Sequence, residues 1–518
     1  MLKNLLCRFI PLLIVVNYCG IVFASNYTLE ITQPQSGLTE RSRYYKAYPG
    51  IKYEIPVGVF GGAYPFTYEL TTAPSGMTID SDTGIITWSN PTTSGSPHSV
   101  AVQVTDTESS TDSVNWTITV TTSGFVFLDD STDPSEDGTI DHPFDSLEDI
   151  WGSDGSTTTY DDFFLYFRAG TYGIEGGQRA NSGTQQYRVN LLITRHPHVW
   201  MAYPNETVVL DHDLAPGSNG LYISLEHGGT DAWFSGIKFQ DMRNHAIRGG
   251  GRMVYYNNTF YNGGPGADGQ NSSFLMFPGT SYATSETYGF IRDNTFDTAS
   301  TYWAFIKSYS TYKAVFEGNI FKNPNTNNNE GLALKAYDQY VDVRGNTFDG
   351  DFKSGSIGGD HNGLRHCEIR FNKVINATTI FINQPRLGAF PINCAMLGGV
   401  MYVYRNTFEG NVILRNNTQS RAPIYFDNNV VINENSSIDD PNGSGVTAYN
   451  SANNTYFNAG SGGTSTLYGS IHGGIIDANG NLSDSYSSFI GTHGYQISSN
   501  PHESFINAPN NLVIVDGQ

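Results

Sequence analysis

The triplets Asn294–Phe296 (NTF), Asn319–Phe321 (NIF) and Asn346–Phe348 (NTF) are copies of one pattern, an Asn, a variable residue and an apolar residue. The full series is Asn258–Phe260, Asn294–Phe296, Asn319–Phe321, Asn346–Phe348, Asn372–Val374, Asn406–Phe408 and Asn428–Val430, with steps of 22 to 36 residues. Steps of about 25 residues with short β runs are typical of one solenoid coil. Identical residues then lie above one another, so the Asn amides form a hydrogen-bonded ladder and the apolar residues stack inside. The repeat predicts a parallel β-helix.

The composition of the 518-residue chain favours an all-β fold. Charged residues are only 15%, while 56 residues are Gly and 32 are Tyr. Helical proteins and coiled coils are instead rich in Glu, Lys, Ala and Leu. The formal charge of −21 argues against nucleic acid or an anionic membrane surface as a partner.

Residues 1–24 have the pattern of a secretory signal. Lys3 and Arg8 flank its start, Phe9–Val16 is apolar, and Val22–Ala24 supplies small residues at a cleavage site. The apolar run is shorter than the roughly 20 residues that a membrane span needs. We therefore expect a secreted monomer, extracellular or periplasmic, without a membrane span.

Residues 25–122 alternate apolar and polar positions in short runs, as in Ser99–Val104 and Val114–Val120. This pattern predicts an antiparallel sandwich of immunoglobulin size. The stretch Tyr68–Trp88 resembles the Ig-like, cadherin-like modules attached to bacterial exoenzymes, and the resemblance implies a spacer.

A second domain is predicted over residues 124–518. Phe125–Leu128 and Asp137–Phe144 resemble the lead-in of secreted, pectate-lyase-like right-handed parallel β-helices. The expected fold is therefore all-β, a right-handed parallel β-helix preceded by an Ig-like β-sandwich.

Two cysteines, Cys367 and Cys394, remain once the signal is removed. In an oxidising compartment they could form a disulfide. Their separation of 27 residues is close to one coil, so they could equally stack on neighbouring coils. The sequence leaves both alternatives open.

Residues 301–420 contain 12 Lys and Arg but 9 acids, a local excess of positive charge in an acidic chain. Because the interior of a β-helix is filled, ligands are expected in a groove along an outer sheet. A basic groove suits an extended polyanion, whereas the alternative is an ordinary solvated face. Trp303 and Tyr337 are candidates for stacking on sugar rings, and Lys307 and Arg370 for binding acidic groups of a substrate.

Within this window, Glu330 lies five residues before Lys335, and the triplet Asn346–Phe348 follows. This arrangement resembles the alginate lyase and chondroitinase B family of polysaccharide lyases. The resemblance implies that Glu330 binds Ca²⁺, with Asn328 or Asn329 as a weaker second ligand. It also implies that Lys335 is the base that removes the C5 proton of a uronate.

The chain departs from this family in the next coil. Where the family has an Arg-His-Gly sequence, this chain has Ile357–His361, so the family's Arg has no direct counterpart. The candidates to replace or assist it are Arg344, Lys353, His361 and Arg365. Such chemistry needs the uronate charge neutralised and the pKa of the Lys lowered, which a cation nearby would achieve.

Two other functions remain open from the sequence. A β-helix glycoside hydrolase needs two carboxyl groups across the scissile bond, and the candidates are Asp338, Asp342, Asp349, Asp351 and Asp360. A non-catalytic glycan-binding protein or adhesin needs only an aromatic-lined groove. We expect a polysaccharide lyase that acts on an acidic polysaccharide.

Overall fold

The structure is a computed structural model. It describes residues 27–34, 42–131, 133–151, 159–160, 163–173, 190–193, 198–211, 222–242, 245–263, 273–277, 288–297, 304–308, 311–323, 330–334, 340–352, 355–359, 366–383, 400–415, 424–427, 429–432, 437–439, 450–452 and 455–457. Nearly all of its elements are strands; the exceptions are a 3₁₀ turn, Arg43–Tyr45, and a short helix, Leu147–Trp151. The predicted signal lies outside the described residues.

The N-terminal part is a β-sandwich, as the alternating sequence predicts. Its strands are Glu30–Gln33, Lys46–Ala47, Tyr53–Pro56, Gly58–Phe60, Phe66–Thr72, Met77–Ile79, Ile85–Trp88, His98–Asp106 and Thr111–Val120. The two longest strands pair antiparallel, with Val100, Val102 and Val104 buried. Trp116 closes the core by donating its indole N–H to the carbonyl of Tyr44 at 2.9 Å.

The second part is a parallel β-helix of three sheets. Sheet A contains Phe125–Leu128, Phe164–Phe167, His198–Ala202, Tyr288–Arg292, Lys313–Glu317, Tyr340–Arg344, His366–Arg370, Val400–Tyr404, Ile424–Asp427 and Asn450–Ala452. Sheet B contains Asn190–Ile193, Ser273–Phe277, Ala304–Ser308, Glu330–Leu334, Gly355–Gly359, Thr379–Asn383, Asn411–Arg415 and Ser437–Asp439. Two long strands, Tyr222–Ser235 and His245–Tyr256, run through both sheets.

Sheet C is built from short strands and begins after the turn that follows each sheet A strand. Its members are Gly170–Gly173, Val208–Asp211, Ile237–Gln240, Thr259–Tyr261, Thr295–Asp297, Ile320–Lys322, Thr347–Asp349, Lys373–Ile375, Thr407–Glu409, Val430–Ile432 and Thr455–Phe457. The middle residue is buried in each three-residue strand from Thr259–Tyr261 to Thr407–Glu409. Among these residues, Phe260, Phe296, Phe321 and Phe348 stack with centroids 4.6–5.1 Å apart. This stack confirms the predicted apolar column.

The predicted Asn ladder occupies the turn between sheets A and C. In each coil the amide of one Asn donates to the Oδ1 of the next, as from Asn319 to Asn346 at 2.9 Å, and also to a backbone carbonyl. The members are Asn258, Asn294, Asn319, Asn346, Asn372, Asn406 and Asn429. The last triplet lies one residue later than the repeat predicts, because Asn429 accepts from Asn406 and Val431, not Val430, is the register partner of Phe408.

The Ig-like domain packs against the outer face of sheet A. Tyr44 meets Trp233 edge-on at 5.2 Å, and Tyr64 contacts Phe371 at 5.0 Å. One apolar cluster therefore contains both the sandwich core and the outward residues of sheet A. In this structure the Ig-like domain is docked on the solenoid, whereas the resemblance implied a spacer.

Candidate functional site

The strand Glu330–Leu334 places the Glu of the predicted lyase motif on sheet B. It pairs with Ala304–Ser308 of the preceding coil and with Gly355–Gly359 of the following coil. Lys335 comes directly after the end of this strand. Lys335, Asn328, Asn329, Lys353, His361, Arg365, Trp303 and Tyr337 lie outside the described residues, so their predicted roles stay predictions.

Arg344 does not line an open groove. Its side chain is fully buried under the Ig-like domain, where Nη2 donates to the carbonyl of Val59 at 2.7 Å and to Glu317 at 2.8 Å. Its Nη1 donates to Asp342 at 2.5 Å. Burial alone would lower the pKa of Arg344, but these two carboxylates outweigh it and raise the pKa. The predicted role of Arg344 in catalysis is therefore wrong, because its charge is used between the domains.

Arg370, like Arg344, is buried and binds groups of the Ig-like domain. It donates to Asp342 at 2.6 and 3.0 Å and to the carbonyls of Gly61 and Gly62 at 3.0 and 2.5 Å. Its predicted contact with substrate is therefore also wrong. A third cation, Arg292, donates to the carbonyl of Thr83 at 2.5 Å. Part of the basic character of residues 301–420 thus serves docking of the Ig-like domain rather than binding of a polyanion.

Lys307 lies on sheet B, beside the strand of Glu330. It pairs with Ala333 on one side and with Met276 on the other, and Met276 in turn pairs with Arg248. The Lys307 side chain is only 1% exposed, so its predicted direct contact with a polymer is not supported. Arg248 is half-buried.

The pKa of His245 is affected by the positive charge in this part of sheet B. Its Nδ1 lies 3.0 Å from the Oγ of Ser273, and the ring is buried. Burial, followed by the charges of Lys307 and Arg248, lowers the pKa of His245 to about 3. His245 is thus neutral at pH 7, and two cations lie within electrostatic reach of it. His245 and Arg248 are not among the site residues predicted from the sequence, because both precede the basic segment 301–420.

One group of acids in the described part of the chain has the spacing of a cation site. Carboxylate oxygens of Glu136, Asp145 and Asp149 lie within 4.8 Å of one another. The group belongs to the segment that leads into the solenoid and not to sheet B. Local N–H groups already bind it, since Asp149 accepts from Ser146 at 3.1 Å.

Cys367 points into the solenoid core on sheet A and is buried. Its register neighbours in the adjoining coils are Val341 and Met401. Cys394 lies outside the described residues, and the disulfide stays a prediction.

Comparisons with known proteins support the assignment of the N-terminal domain as Ig-like. A family model described as "Putative Ig domain" matches residues 29–121. Two solved structures from Bacteroides fragilis are similar over a limited part, one described as a putative alpha-galactosidase and one as a putative alpha-galactosidase/melibiase. Their identities are 14% and 13%, with TM-scores of 0.15 and 0.16. The match covers 30% of this chain and 29% of each of those chains, so it carries no conclusion about activity.

No curated protein matches the chain. A search of the described residues for helices long and apolar enough to cross a membrane found none.

Proposed function

We propose that the protein is a secreted polysaccharide lyase that cleaves a uronate-containing polysaccharide by β-elimination. The observation that carries the proposal is that the predicted lyase motif and the docked Ig-like domain lie on different sheets. The Ig-like domain docks on sheet A, whereas Glu330–Leu334 belongs to sheet B and is followed at once by Lys335. The buried Lys307 and half-buried Arg248 add positive charge to that sheet, which suits an acidic substrate.

In this proposal the substrate lies along sheet B, with the uronate carboxylate near Glu330. Glu330 and Asn328 offer the oxygen ligands that Ca²⁺ prefers. Bound calcium would neutralise the uronate charge and so stabilise the enolate-like state. Lys335 takes the C5 proton, the C4–O bond breaks, a C4=C5 double bond forms, and the leaving oxygen receives a proton. Lys353, His361 and Arg365 are the remaining candidates to assist the leaving oxygen, and Trp303 and Tyr337 to stack on the sugars.

The test follows the ultraviolet absorbance of unsaturated uronate in alginate, chondroitin sulfate, dermatan sulfate and pectate, with calcium or with a chelator. We expect absorbance to grow on one of these polymers, and Lys335→Ala to lower the rate at least about 100-fold. The matched control is Lys52→Ala, a Lys on the Ig-like domain, which should keep full activity. New reducing ends without absorbance would instead indicate a hydrolase, and silence in both assays would indicate a binding protein.

A further inference from the structure

The outer face of sheet C carries a row of polar residues that no function above uses. Consecutive coils place Asp211, Gln240, Tyr261, Asp297 and Lys322 side by side at the last position of their strands. Strands lie about 4.8 Å apart, so the row, which we call the sheet C strip, extends about 19 Å along the solenoid axis.

Tyr261 stands at the centre of the sheet C strip. It is 43% exposed, and among the described residues it is the one large hydrophobic side chain that is exposed. Lys238 of the preceding coil lies with its Nζ 4.6 Å from the ring centroid. An exposed aromatic ring on a rigid strand is a stacking surface that loses little entropy on binding.

The polar side chains around Tyr261 are held in place by one another. Gln240 donates to Asp211 at 3.1 Å and accepts from Lys238 at 2.5 Å, and Lys322 lies 3.7 Å from Asp297. The carboxylate, amide and ammonium groups of these residues can each take part in more than one hydrogen bond. The strip is thus preorganised to accept and donate hydrogen bonds to an extended ligand.

The charges of the strip select among ligands. The strip contains Asp211, Asp297 and Lys322, a formal charge of −1, and the ammonium group of Lys238 lies beside Tyr261. A surface with no excess of positive charge does not attract a polyanion. Hydroxyl groups of a neutral sugar, by contrast, pair with carboxylates, amides and ammonium groups alike.

We propose that the sheet C strip is a non-catalytic binding site for a neutral polysaccharide, which lies along the solenoid axis with one pyranose ring stacked on Tyr261. The site is separate from the one proposed on sheet B and takes a different ligand. It would hold the protein on a neutral polymer while sheet B acts on an acidic one.

The test is affinity electrophoresis of the full mature chain in gels containing galactomannan, xyloglucan or hydroxyethylcellulose, with alginate as the acidic comparison. We expect retardation by at least one neutral polymer, and about tenfold weaker binding for Tyr261→Ala. Tyr261→Phe, which keeps the ring, should retain most of the binding. Lys335→Ala should bind like wild type, so failure of the lyase proposal would leave this result unaffected.

Three outcomes would overturn the proposal. The first is the absence of retardation by every neutral polymer, and the second is equal retardation of Tyr261→Ala and wild type. The third is a dimer in light scattering that Tyr261→Ala converts to a monomer, which would mean that a second copy of the chain covers this face. Because Tyr261 is exposed, its replacement should leave the thermal midpoint unchanged, and this measurement separates lost binding from lost folding.

Discussion

Sheets A and C both alternate inward and outward residues, but the outward residues of sheet A are covered by another domain and those of sheet C are not covered by it. On sheet A the outward residues, among them Arg292, Glu317, Arg344 and Arg370, are buried beneath the Ig-like domain. On sheet C Tyr261 is exposed, and the outward residues around it are half-buried. A charged residue on a solenoid strand is therefore not evidence of a groove, because a covering domain can give it a structural task.

Among substitutions that compare the two faces, Asp342→Ala on sheet A is expected to lower the free energy of unfolding the most. Asp342 is buried and accepts from both Arg344 and Arg370, so its loss leaves two buried cations short of a partner. We expect a loss of about 3–5 kcal/mol in the free energy of unfolding, measured by chemical denaturation. The matched control is Asp349→Ala on sheet C, which should cost less than about 0.5 kcal/mol. Equal losses would mean that the charges of sheet A are not tied to docking.

The Asn ladder lies between the two faces and should show an intermediate effect. Asn346 donates to the carbonyl of Phe316 at 2.8 Å and accepts from Asn319, all in buried surroundings. Asn346→Ala should therefore cost about 2 kcal/mol, since it leaves buried backbone groups unpaired. Thr295→Ala, on the outer face of sheet C, is the control and should cost clearly less in the same denaturation experiment.

Sheet B offers a comparison through pH. The pKa of His245 is lowered from 6.5 to about 3, so between these values the unfolded chain binds a proton that the folded chain does not. Above pH 6.5 this His does not lower the free energy of unfolding. As the pH drops from 6.5 toward 3, it lowers that free energy by up to about 1.4 kcal/mol per pH unit. His245→Gln should remove this part of the slope. Identical pH profiles of unfolding for the two proteins would contradict the neutral, buried His.

The smallest effect is expected on sheet C. Lys322 and Asp297 form a pair at 3.7 Å whose side chains are 43% and 30% exposed. Lys322→Ala should change the unfolding free energy by less than about 0.5 kcal/mol, because water screens the pair. A loss comparable to that of Asp342→Ala would show that the sheet C face is also covered.

The fold was readable from the sequence because its determinants are local and repeated. The triplets at Asn258, Asn319 and Asn346 fix the turn and the inward apolar residue of each coil. The triplet at Asn428 was shifted by one, because two consecutive Asn residues fit the pattern equally well and only the structure selects Asn429.

The misplaced site residues have partners that are far away in sequence. Arg344 and Arg370 reach carbonyls of Val59 and Gly61, and no local pattern reveals such a contact. A signal was nevertheless present, since Arg292, Glu317, Arg344 and Arg370 all lie two residues before a ladder Asn. A charge that recurs at a fixed place in successive coils indicates a continuous charged row on one face, and such a row suits a single large partner.

The docking of the Ig-like domain also sets an order of assembly. Its longest-range hydrogen bonds with sheet A join residues 285 to 309 positions apart, among them Val59 with Arg344 and Gly61 with Arg370. N-terminal domains generally fold first during synthesis, so the sandwich is complete while the sheet A strands of Arg344 and Arg370 do not yet exist. Closing so long a connection comes late in folding. The sandwich must therefore keep an apolar and carbonyl-lined surface uncovered until the coil of Arg370 has formed, and this interval is when the chain is most exposed to aggregation.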